Sequence, residues 1–181
     1  LPVKNVAEFI AYCKANPSKV NMASSGSGTS THLSGELFKT MTGCNMLHIP
    51  YRGAGPVLSD LIAGQVQVFF DNLPSSAGHI KGGSIRAIGM TSAAREPSMP
   101  EVPTVGETVA GYEATAWFGV GMPKGAPREA IDRINAEINR ALADPKMRER
   151  LAGLGGAPIP GTPEDFGKVI HDNTATMAIL D

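Results

Sequence analysis

The residues best placed for chemistry sit in one short run, Ser24-Ser-Gly-Ser-Gly-Thr-Ser-Thr31. Small hydroxyl residues and two glycines lie between an apolar run and an amphipathic one. A turn of that kind, leading into a helix, offers free backbone N–H groups and hydroxyls at the positive end of the helix dipole. Such a surface suits phosphate or carboxylate. The run lacks the third glycine of a dinucleotide fingerprint, where Thr31 stands, and no Gly-Lys-Ser/Thr follows as in a P-loop. It contains no Gly-x-Ser-x-Gly elbow. An ordinary capped turn is the plainer reading of the same residues.

Two further positions follow apolar runs. Asp71-Asn72 closes Val66–Phe70, and Tyr51-Arg52-Gly53 closes Met46–Ile49. Polar residues at the carboxyl ends of strands are where open α/β sheets hold ligands. Asp71 could instead cap the helix that begins near Pro74. Arg52 could pair an anion bidentately or serve as a surface charge. His32 follows the turn, and a hydrolase using Ser27 and His32 is conceivable. No orienting acid is identifiable, and neighbouring helical residues do not face each other. His48, His79 and His171 stand singly, without metal-ligand spacing. Cys13 and Cys44 form no CxxC. They read as buried thiols, although the count permits a disulfide.

The elements that must position these residues are legible from periodicity and punctuation. Asn5 and Glu8 have the form of a helix start, and Val6, Phe9, Ile10 and Cys13 follow at 3–4 spacing up to Asn16-Pro17. Val20–Ala23 reads as a strand. A helix carrying Leu33, Leu37, Phe38 and Met41 ends at Gly43. Met46–Ile49 is a strand, Pro56–Ala63 a helix capped by Gly64, Val66–Phe70 a strand, Pro74–Lys81 a helix and Ile85–Thr91 a strand. Strand, Gly-rich turn and helix in repetition predict α/β architecture with a mostly parallel sheet. Pro97, Pro100 and Pro103 then break the rhythm across 92–113. Trp117–Met122 reads as a strand. Three helices follow, with Pro127 at N1, Asp144-Pro145 opening the second, which ends at Gly155-Gly156, and Thr162-Pro163 opening the third. Phe166, Val169, Ile170 and Met177 mark the last apolar face. The composition shifts near residue 115.

The chain has 181 residues, with 16 Lys+Arg against 17 Asp+Glu, a net charge of −1. That balance gives no support for nucleic-acid binding, which normally shows a basic excess. At 42% hydrophobic the chain can bury a sizeable core. No apolar run approaches the roughly 18 residues of a membrane span. Leu1-Pro2-Val3-Lys4 is no signal peptide, so the chain reads as a processed product or a fragment.

The ordered series Ser24-Ser-Gly-Ser-Gly-Thr-Ser-Thr-His-Leu33, His48-Ile-Pro-Tyr-Arg-Gly53, Gly64-Gln-Val66, Phe70-Asp-Asn72 and Pro100-Glu-Val-Pro-Thr-Val105 continues into Trp117-Phe-Gly119 and Pro123-Lys-Gly-Ala-Pro127. It resembles the substrate-binding receptors of tripartite tricarboxylate transporters, the Bug family. The resemblance covers essentially the whole chain. It implies a periplasmic, Venus-flytrap receptor of two α/β lobes, without catalytic activity or cofactor. Such a receptor delivers a small organic acid to membrane permease subunits; di- and tricarboxylates, acidic amino acids and aromatic carboxylates all fit. Carried onto this chain, the ligand residues are Ser25, Gly26, Ser27, Gly28 and Thr29, with Asp71 and Tyr51. Residues 1–115 would be one lobe and 116–181 the C-terminal part of the other. Family members are longer, so the apolar stripes of the C-terminal helices would be partly exposed, or buried by a second copy. An α/β enzyme using Ser24–Thr31 as a phosphate cradle, and a fragment that binds nothing, are the competing expectations.

Overall fold

The structure is a computed structural model that describes residues 1–177, with side chains as far as Asn173. Helix α1, Val6–Ala15, begins where Asn5 accepts a bond from the Glu8 amide at 2.8 Å, and the Glu8 carboxylate reaches back to the Lys4 amide. Its Val6, Phe9 and Cys13 are buried, as a 3–4 periodicity requires. Strand β1, Val20–Ser24, follows and is the centre of the sheet. It lies parallel to β2, Met46–Pro50, on one side and to β3, Val68–Phe69, on the other.

The order β2-β1-β3 is what places a site. The chain leaves β1, crosses through α2 (Ser30–Thr42) and returns at β2 on one flank. It then crosses through α3 (Ala54–Ile62) to β3 on the other flank. The crossovers cover opposite faces. Met22 of β1 packs with Phe9, Cys13, Phe38 and Met46, whereas its neighbour Ala23 packs with Val57 and Val66. The alternation follows from the two-residue period of a strand, and burial on both faces explains why Val20, Met22 and Ala23 are all apolar. The strand order therefore switches direction between β1 and β3, whose carboxyl ends are the place where open α/β sheets form a ligand crevice. Helix α4, Leu73–Lys81, follows β3.

Two predicted strands are absent as strands, and one is shortened. Of Val66–Phe70 only Val68–Phe69 pairs with β1. The Gln67 side chain accepts from the Asn21 amide at 2.9 Å, taking the place of a ladder carbonyl. Ile85–Thr91 contributes a single bridge, Met90 to Thr104. The facing segment carries Pro100 and Pro103, which have no N–H to extend a ladder. Trp117–Met122 pairs with no strand among the described residues. A strand exists only by its partners, and its own unit supplies helices alone. Among the described residues the sheet is wholly parallel, in line with the mostly parallel sheet that the alternation predicts. Thr104 and Glu107 cap a single 3-10 turn, Val105–Glu107, reciprocally.

The chain divides into two compact units, Leu1–Ala116 and Trp117–Asp181. The second holds α5 (Arg128–Ala143), α6 (Pro145–Gly153) and α7 (Pro163–Met177). Pro127 occupies the N-cap of α5 rather than its first helical position, and α6 stops at Gly153, short of Gly155-Gly156. Phe166 packs edge-on to Trp117 at 5.4 Å and lies directly over Gly119, where a Cβ would collide with the ring. Within this unit Ile134, Ile170, Phe118 and Val120 are exposed, whereas Phe166 and Val169 are half-buried. The Met177 side chain lies outside the described residues. No helix among the described residues is long and apolar enough to cross a membrane.

Candidate functional site

The turn from Ser25 to Thr29 joins the end of β1 to the start of α2, and it is knitted by its own hydroxyls. Thr31, fully buried in the first turn of α2, is the hub. Its oxygen accepts from the Ser25 amide at 2.9 Å and lies 2.9 Å from the Ser25 hydroxyl and 3.0 Å from that of Thr29. The Thr29 hydroxyl donates to the Gly26 carbonyl at 2.6 Å. Gly26 and Gly28 have φ of 144° and 77°, which the turn requires and which side chains resist. Thr29 is the N-cap in position but spends no side-chain bond on the helix. The backbone N–H groups of Ser27, Ser30 and Thr31 donate to no described residue. Three unspent donors thus sit at the positive end of a 13-residue helix.

The other predicted residues flank this turn. Tyr51 and Gly53 follow β2, and their amides donate to the carbonyls of Ser24 and Ser25 at 2.9 and 3.1 Å. Tyr51 therefore braces the turn through its backbone. Its hydroxyl is committed to Asp60 of α3 at 2.7 Å, an anionic acceptor that pushes the phenol's pKa upward. Arg52 is exposed and makes no ion pair with a described residue. Asp71 follows β3, on the other flank of β1. One carboxylate oxygen accepts from Ser75 at 2.6 Å at the start of α4; the other is buried with no partner. Burial raises its pKa, against the pull of the Ser75 bond. Asn72, its neighbour, donates to the Ser30 hydroxyl at 3.2 Å, which ties the third strand's loop to the first turn of α2.

Sequence reasoning missed the histidines. His32 and His48 read as unrelated, yet their rings stack at 3.9 Å with 22° between planes. His48 lies 2.6 Å from the Ser24 hydroxyl, and the Gly28 amide donates to His32 Nδ1 at 3.2 Å. Only the parallel register of β1 and β2, which sets Met22 beside His48, brings the rings together. Burial, with His32 beside it, holds the pKa of His48 below the usual histidine range.

For hydrolysis the turn is poorly equipped. Ser24 is fully buried, and Ser27 has no base bonded to it among the described residues. No cluster of three potential metal ligands is present among them either. A hollow of about 390 Å³ against the 3-10 turn is lined by Glu107 and Glu113, whose charge disfavours an acid.

The family model for the tripartite tricarboxylate transporter family receptor matches residues 1–180. The chain belongs to this receptor family. A UPF0065 protein of the tcbD-tcbE intergenic region in a Pseudomonas species is 39% identical over 173 residues, 94% of this chain and 52% of its own length. BugT of Bordetella pertussis is 37% identical over 181 residues, 98% of this chain and 55% of its own. The chain spans about half the length of these two curated relatives. Among solved structures, an R. palustris protein with adipate superposes with TM-score 0.96 at 36% identity, covering 99% of this chain and 60% of that one. The Rhodopseudomonas palustris protein MatC, with bound malate, gives 0.89 at 26%, covering 99% and 62%. The α/β fold is that of these solved structures, and the family is one of transporter receptors.

Proposed function

We propose that this chain is part of a periplasmic receptor that captures a small organic carboxylate and presents it to the permease subunits of a tripartite tricarboxylate transporter. Residues 1–115 form one lobe of the receptor and 116–181 belong to the other. The ligand carboxylate sits on the turn Ser25, Gly26, Ser27, Gly28 and Thr29, taking bonds from the unspent amides of Ser27 and Ser30. Asp71 shapes the opposite rim by holding the start of α4, and Tyr51 braces the turn from β2. The observation that carries this reading is the set of free donors at the α2 N-terminus, located where the strand order switches. Two neighbours of this fold were solved with dicarboxylates, adipate and malate, which supports the same ligand class here. No cofactor is called for.

The exposed Ile134, Ile170, Phe118 and Val120 support a second copy, or further chain, against the C-terminal unit. Calorimetric titration with adipate, malate and an aromatic acid tests the main reading, repeated on Gly28→Pro and Thr29→Val. Gly28→Pro removes an amide and is incompatible with a φ of 77°, so it abolishes binding. Equal affinity in the parent and both variants places the site elsewhere.

A further inference from the structure

One glycine amide of the turn is held by an imidazole and the other by a hydroxyl that an imidazole holds in turn, and the bonds define which ring nitrogens carry hydrogen. Gly28 N–H donates to His32 Nδ1 at 3.2 Å, so that nitrogen is bare and the proton sits on Nε2. Nε2 in turn faces Glu36 at 3.6 Å. Gly26 N–H donates to the Ser24 oxygen at 3.2 Å, and that oxygen lies 2.6 Å from His48 Nε2. Ser24 is wholly buried. A hydroxyl there that gave its hydrogen to nothing would be costly, so it donates to His48, whose Nε2 is also bare. Each glycine therefore ends, directly or through Ser24, on an unprotonated imidazole nitrogen.

We infer that His32 and His48 are positioning residues of the ligand turn: as neutral stacked rings, His32 accepts the bond that fixes Gly28 and His48 accepts the bond of Ser24, whose oxygen holds Gly26, and a proton on either ring undoes the bond that ring accepts. This rests on the carboxylate reading of the turn only for its effect on binding. A protonated His32 Nδ1 is a donor facing a donor, so Gly28 is released and the ring turns to Glu36. A protonated His48 Nε2 reverses the Ser24 bond and strands the Ser24 hydrogen. Two imidazolium rings 3.9 Å apart also repel, so the pair holds at most one proton readily. The charged groups facing the pair are Glu36 and Lys39, both on α2, and β1 presents the Ser24 hydroxyl. Glu36 lies 3.6 Å from His32 Nε2 and draws the protonated ring away from the turn. The affinity for an acid falls as the turn is released.

The test pairs a ligand-free readout with a binding one. The substitutions His32→Asn and His48→Gln keep an acceptor near Nδ1 and Nε2 respectively and cannot titrate; His32→Phe keeps a stacking ring and removes the acceptor. By NMR, the Gly28 amide of the unliganded parent shifts between pH 8 and pH 5.5, stays flat in His32→Asn, and is displaced at every pH in His32→Phe. Adipate affinity in the parent weakens roughly three- to tenfold more over that range than in His32→Asn or His48→Gln, the worth of about one hydrogen bond. Adipate's own protonation is common to all of them and cancels. A Gly28 amide indifferent to pH and to His32→Phe overturns the inference, as does one pH profile shared by parent and His32→Asn. If adipate binds none of the proteins while the Gly28 amide still shifts with pH in the parent and stays flat in His32→Asn, the carboxylate reading fails and the positioning role stands.

Discussion

Replacing Thr31 by Val exchanges one hydroxyl for a methyl in a side chain of the same shape, fully buried in the first turn of α2. The Ser25 amide then loses its acceptor at 2.9 Å, and the hydroxyls of Ser25 and Thr29 lose a common neighbour. Thr29 keeps its bond to the Gly26 carbonyl at 2.6 Å, so the principal cost is the stranded amide. An unsatisfied buried donor costs about 1–3 kcal/mol. The new methyl returns up to about 0.8 kcal/mol of burial. The net is a destabilisation of about 1–2 kcal/mol. With a urea slope of roughly 1–3 kcal/mol per molar for a small domain, the midpoint falls by about 0.3–2 M. Urea unfolding followed by far-UV circular dichroism reads this, with Thr31→Ser as control, since it keeps the oxygen and loses only the methyl. The hub argument predicts Thr31→Val to be the weaker protein. It is refuted if Thr31→Val unfolds with or after the parent, or if Thr31→Ser is the less stable of the two.

Gly35→Ala sets a Cβ into the sulfur of fully buried Met22 and 3.3 Å from Phe70. Overpacking of about 1–3 kcal/mol outweighs the roughly 1 kcal/mol that Ala gains in helix propensity, and Met22→Val added to it recovers stability in a double-mutant cycle. Glu107 is held at a pKa of about 2, first by its paired bonds with Arg95 and then by the Thr104 amide. A depressed carboxylate stabilises above its unfolded value and loses that contribution as pH falls from about 4.5 towards 2, so Glu107→Gln flattens the acid limb of a stability–pH curve in that window. Asp71 has a raised pKa through burial, so its charged form opposes folding as pH rises above the unfolded value near 3.8. Asp71→Asn is therefore at least as stable as the parent at pH 7 by thermal melting, and a clear loss there shows that the carboxylate is needed charged.

The local signals of this sequence are strong where the physics is local. Asn5 with Glu8, Gly43 at φ 71° after α2, and Asp144 capping α6 fix helix ends within a few residues of chain, because capping and left-handed glycines are decided by near neighbours. The Ser24–Thr31 turn shows itself in the same way: hydroxyls and glycines packed between a strand and a helix have few other uses. That Ser25–Thr29, Tyr51 and Asp71 all follow strands was legible from the alternation of apolar runs and breakers. Which strands are neighbours was not. The order β2-β1-β3, and with it the switch point between β1 and β3, depends on helices packing to opposite faces around Met22 and Ala23. Val66–Phe70 and Ile85–Thr91 have strand composition, yet the first yields ladder positions to the Gln67 side chain and the second faces prolines. Trp117–Met122 has the composition without a partner in its unit. His32 and His48 are 16 positions apart on a helix and a strand, and nothing in their spacing announces a stacked pair. The parallel register of β1 with β2 sets one ring against the other and hands them the amides of the turn. Sequence by itself determined the segments and their chemistry; tertiary structure alone decided which segments meet, since pairing and stacking are energies between residues that the chain's local order does not bring together.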